Sequence, residues 1–121
     1  MATYSKQFLS QSANGKSINI TATGINTTTI HTTQPSSSAI DEVWLYASNP
    51  TTSDVMFNLL YGGTNFTTDV LFEGVIEAYA GNVLICPALI AKGDGATGLS
   101  IYGNASVASG VNVFGYVNRI S

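Results

Sequence analysis

Short apolar runs separated by turn residues recur along the whole 121-residue chain, and most alternate with polar positions at a period of two. In KSINITATG, Ile18, Ile20 and Ala22 alternate with Ser17, Asn19 and Thr21, the pattern of a strand with one face on a core and one in water. INTTTIHTT continues in the same manner, with threonine favoured because its branched side chain suits a pleated surface. Just upstream, Asn14-Gly15 signals a tight turn and predicts a hairpin between the segment Tyr4 to Gln11 and this strand. QPSSS, residues 34–38, reads as a loop.

The central stretch breaks the alternation. EVWLYASNPTTSDVMFNLLYGG, Glu42 to Gly63, carries bulky side chains at odd and even positions alike, although a half-buried strand needs only one apolar face. Ile40, Val43, Trp44 and Ala47 also fit a helical stripe. The β-branched and aromatic run V-W-L-Y, ended by Asn49-Pro50, favours a strand instead. A second strand follows at Val55 to Tyr61, closed by Gly62-Gly63. If Val43, Leu45, Phe57 and Leu59 point inward, Trp44, Tyr46, Met56 and Leu60 point outward, and the opposite choice leaves an equal excess. Large exposed apolar patches mark association surfaces. The cover is either a neighbouring molecule, or a long loop or the N-terminal arm of the same chain.

Further strands are predicted at Val70 to Ala78, bent at Gly74, and at Asn82 to Cys86, stopped by Pro87. PALIAKGDGATG reads as a loop anchored by Leu89 and Ile90. The last two strands, GLSIYGNASVA and GVNVFGYVN, join near Ser109-Gly110, and in the final one Val111, Val113 and Val117 oppose Phe114 and Tyr116. Eight or so short strands without a convincing helix predict an all-β protein. The expected form is an antiparallel two-sheet β-sandwich of jelly-roll type, one domain over residues 1–121 with residues 1–15 as an N-terminal arm. The predicted association residues are Trp44, Tyr46, Met56, Leu60, Phe114 and Tyr116.

Composition sharpens this picture. Charged residues are only 9 % of the chain, against about 25 % in a typical soluble domain. Ser, Thr, Asn and Gly take their place, which gives a neutral surface suited to being covered. The net charge is −3, and the four bases, Lys6, Lys16, Lys92 and Arg119, are scattered. No row of phosphates is matched, so nucleic acid is not an expected partner, and there is no basic amphipathic segment for a membrane. The opening residues lack the basic-then-apolar pattern of a secretory signal, which predicts synthesis in a cytosol. One cysteine, Cys86, makes no internal disulfide.

Candidate chemistry is sparse. His31 among threonines is expected to be an exposed or surface-pairing strand residue, and Cys86 in VLICPAL is expected to act as a small core hydrophobe. Glu73 and Glu77 share a face by even spacing and read as solvated. KGDGATG lacks the lysine-then-hydroxyl ending of a phosphate loop and reads as a mobile turn. No catalytic set, metal set or cofactor motif is expected. For a small ligand, Trp44, Tyr46, Tyr61 or Tyr102 could stack on a sugar ring, though the same aromatics serve equally as core or subunit contacts.

The segments AIDEVWLYASNPTTSDVMFNLLYGGT and VLICPALIAKGDGATGLSIYGNASVASGVNVFGYVNRI resemble small virion proteins encoded among the head genes of tailed bacteriophages. The resemblance covers roughly Ile40 to Ile120 and carries no catalytic signature. It implies a capsid decoration or cement protein, made in the host cytoplasm and placed on the capsid surface. It also implies a β-sandwich that associates into dimers or trimers and binds the major capsid protein. A tail or fibre component and a lectin-like carbohydrate binder are the alternatives.

Overall fold

A computed structural model describes residues 3–121. Among the described residues nine strands follow one another: β1 (Tyr4–Gln7), β2 (Ile18–Ile20), β3 (Thr28–Thr32), β4 (Ile40–Ser48), β5 (Val55–Tyr61), β6 (Val70–Ile76), β7 (Val83–Ala91), β8 (Ser100–Ala105) and β9 (Val111–Ile120). All pairings are antiparallel. One sheet runs β1-β9-β4-β7, with β2 on the same edge of the sheet as β1, and the other runs β3-β8-β5-β6. From β2 onward every connection except the β5–β6 hairpin crosses between the sheets, which is the wrapping of a jelly roll. The chain is therefore an all-β, antiparallel two-sheet sandwich, as its sequence pattern predicts.

The core follows from parity along the strands. All nine residues of β4 alternate between half-buried and buried, with Asp41, Val43, Leu45 and Ala47 inward. Val111, Val113 and Val117 of β9 meet them from the same sheet, while Phe57 and Leu59 of β5, Ile101 of β8 and Ile30 of β3 close from the other. Gly103 is small because its neighbours leave no room: a Cβ there would lie 2.9 Å from Ile20 and 3.2 Å from Phe57. Cys86 belongs to this core, and burial raises its thiol pKa, which keeps it protonated and inert.

Four expectations are corrected. Asn14-Gly15 does form a tight turn, with φ of 62° and 79°. Its flanking strands do not pair with each other, because both β1 and β2 pair with β9, opposite residues 117–120 and 111–113. Residues 8–17 are thus an excursion from one interrupted edge strand, and they send Leu9 into the core. Pro87 does not stop its strand. It lies on β7, which pairs only with β4, at a register shift where Leu45 faces Cys86 and Val43 faces Leu89. An edge strand with a bulge tolerates a residue that cannot donate.

Leu60 is the third correction: it is 0 % exposed, yet it lies outside the central core cluster. Its register partners are Tyr102 on β8 and Val70 on β6, where the β5–β6 ladder slips by one residue. This outward position is covered by the chain itself. His31 is the fourth, because it is buried beside the equally buried Ile30. A bulge between Thr29 and His31 breaks the alternation of β3 and turns both adjacent side chains away from solvent.

Candidate functional site

The outer face of the five-stranded sheet carries the candidate site. β4 and β9 pair in unbroken register from Ile40↔Ile120 to Ser48↔Asn112, so their outward residues stand in rows. Trp44 faces Tyr116 with centroids 6.5 Å apart and planes 9° from parallel, and Tyr46 faces Phe114 at 5.8 Å and 19°. Cross-strand aromatic pairs of this kind contribute about 0.5–1.5 kcal/mol each beyond their buried area. The ladder therefore helps hold β4 to β9 while leaving its rims in solvent, for all four rings are only half-buried.

Neighbouring strands widen the face. β7 adds Leu84 opposite Tyr46 and Ile90 opposite Glu42, both well exposed. β1 adds Tyr4 opposite Ile120 and Lys6 opposite Asn118. Lys6 and Glu42 are the charged side chains within these outward strand rows. The Lys6 ammonium sits 5.2 Å from the centre of the Tyr116 ring. One carboxylate oxygen of Glu42 accepts from Trp44 Nε1 at 2.8 Å and from Asn118 Nδ2 at 3.0 Å. Those two hydrogen bonds hold its pKa below the ordinary carboxylate value. β1 extends the sheet sideways beside β9 and does not lie across Trp44 and Tyr46.

The structure thus brings together Trp44, Tyr46, Phe114 and Tyr116. Met56 is separated from them. It lies on the outer face of the opposite sheet, beside Val75, and is 41 % exposed, so Trp44, Tyr46 and Met56 form no common patch. Leu60, being buried, offers a partner no surface. Tyr61 and Tyr102 also lie on the other sheet, and the Tyr61 hydroxyl is engaged by the backbone of Lys92 at 3.2 and 3.3 Å.

A second polar cluster lies inside the molecule. Asp41, 3 % exposed, accepts from Arg119 Nε at 2.8 Å and Nη2 at 2.9 Å, and from His31 Nε2 at 2.8 Å. Burial pushes the Asp41 pKa up. The hydrogen bonds from Arg119 and His31, with the Arg119 charge, outweigh it and bring the value to about 2. The cluster ties β3 of one sheet to β4 and β9 of the other. Its signal is present in the sequence, since Asp41 keeps the inward parity of Val43 and Leu45, and Arg119 that of Val117. Among the described residues, no group of three or more His, Cys, Asp and Glu side chains is placed to hold a metal ion.

No protein-family model, curated protein or solved structure matches the chain.

Proposed function

We propose that this chain is a structural subunit of a bacteriophage head, a decoration or cement protein that binds the capsid shell and copies of itself through the outer face of its five-stranded sheet. The observation that carries this reading is the ladder Trp44–Tyr116 and Tyr46–Phe114, flanked by Leu84 and Ile90, on a sheet face that no other strand among the described residues covers. Aromatic residues are the usual anchors of protein interfaces. The resemblance over Ile40 to Ile120 and the scarcity of surface charge point the same way. Attachment at many places around a shell multiplies weak single contacts, so each subunit needs only a modest patch.

Labelling virions of the encoding phage with an antibody against the chain tests this. Many copies over the head are expected; label at a single vertex would favour a tail or fibre part, and unlabelled virions would end the reading. A sugar-binding role has one observation in its favour, an open cavity of about 380 Å³ lined by Tyr4, Ser5, Lys6, Glu42, Asn118 and Ile120, next to the aromatic rows. A glycan array on the purified chain decides it.

A further inference from the structure

His31 is held in one tautomer by an obligate donor. The Ser10 backbone N–H points at His31 Nδ1 at 3.0 Å, so Nδ1 must be the bare, accepting nitrogen and the ring proton sits on Nε2, where it is given to Asp41 at 2.8 Å. Ser10 is tied a second time, since its hydroxyl accepts from the Thr32 N–H at 2.7 Å. These bonds pin the excursion of residues 8–17 to β3, and the excursion carries β1 at one end. β1 itself is four residues long, mostly exposed and paired with β9 alone. The Ser10 fastening, Leu9 in the core and the turn closed by Ser12 Oγ on the Lys16 carbonyl are its inward anchors.

We propose that His31 is a proton-operated latch: neutral, it helps hold residues 8–17 and β1 against the sandwich, and protonated, it weakens that hold by one hydrogen bond. A proton on Nδ1 removes the acceptor and sets two N–H groups against each other at hydrogen-bond distance. The imidazolium keeps its bond to Asp41, so the loss falls on Ser10. The charged groups bonded to this cluster are Asp41 from β4 and Arg119 from β9; Ser10 from the excursion and Ser100 and Ile101 from β8, opposite Thr32 and His31, bring no titrating group. Asp41 stays ionised down to about pH 2, so the carboxylate bonded to His31 Nε2 keeps its charge in mild acid. Opening would uncover the β9 edge at Val117–Ile120 and remove Lys6 from the Tyr116 ring.

The test is amide exchange and nitrogen NMR on the full chain from about pH 8 to about pH 4.5. Protection of the Ser10 amide should fall about tenfold, the equivalent of one ordinary hydrogen bond, with a midpoint that coincides with titration of the His31 ring. Amides of β4 and β5 should stay protected. His31→Gln supplies the same acceptor and donor without a titrating group, and should keep residues 4–17 closed across the range. The proposal is overturned by any of three results: Ser10 stays protected while the His31 ring titrates, the ring fails to titrate before the whole chain unfolds, or His31→Gln opens at the same pH as the unmodified protein.

Discussion

Trp44 and Tyr116 stand directly opposite each other on β4 and β9, 9° from parallel, with Lys6 on the far side of the tyrosine ring. The arrangement serves two ends at once: it reinforces the strand pair and presents ring edges to a neighbour. Replacing Phe114 in the adjacent row by lysine separates these roles. Phe114→Lys should cost about 1 kcal/mol of stability, the scale of one cross-strand pair, and leave a folded monomer. Sedimentation velocity should show oligomers for the unmodified chain and monomers for the variant. A variant that still associates fully would remove this face from the proposed interface.

Gly115 sits between the two aromatic rows with φ of 156°, opposite Leu45. A Cβ at that position would fall 1.9 Å from the Trp44 carbonyl oxygen, a backbone atom with no freedom to retreat unless β4 and β9 part. Gly115→Ala should therefore destabilise by more than about 3 kcal/mol, counting both backbone strain and overpacking. Urea unfolding with a tryptophan fluorescence readout checks it, since the damage is adjacent to Trp44.

Asp41 makes stability depend on acid. Its folded pKa of about 2 lies below the ordinary 3.8, so the stabilisation is fully present above the unfolded value and is lost as pH falls from about 4 towards 2. The shift corresponds to at most about 2–3 kcal/mol. Asp41→Asn should cost about 2–3 kcal/mol at neutral pH, because Arg119 loses its buried counter-charge, and should flatten the acid limb. Denaturant midpoints at pH 7, 4 and 2 measure both effects. An unchanged acid limb in the variant would show that other carboxylates control it.

Asn49 is 0 % exposed and uses its whole amide: Nδ2 donates to the Ser53 and Ile76 carbonyls, and Oδ1 accepts from the Thr51 N–H and hydroxyl. It holds the β4–β5 connection to the end of β6. Asn49→Ala leaves several groups unpaired and should cost about 2–3 kcal/mol, read as a lowered Tm. Asn49→Asp keeps the acceptor but loses both donors, and should be no better tolerated.

Regular strands were legible from residue type alone. β5 begins at Val55 and ends at Tyr61 before its glycine pair, and the split of β9 into inward valines and outward aromatics follows directly from period two. What hid from the sequence were the places where one extra residue resets that period. The bulge at Ile30 buries His31, the register slip beside Leu60 accompanies its cover, and the bulge at Pro87 carries β7 through a residue that normally ends a strand. Strand order was hidden too, since it is fixed by contacts distant in the chain; this is why Met56 parted from Trp44 and Tyr46. The Asp41–Arg119 pair was readable in parity but not in distance, as its members are 78 positions apart.

Thr3 and Ser121 exchange both backbone hydrogen bonds, at 2.6 and 2.9 Å, just beyond the pairing of β1 with β9. The seam between β1 and β9 is thereby lengthened by one step, and the exposed turn at Ser106–Ser109 is the place where an inserted peptide would cut no strand. A passenger inserted there would emerge beside the backbone of Met56 and Ile20, so insertions could double as steric probes of what approaches that rim.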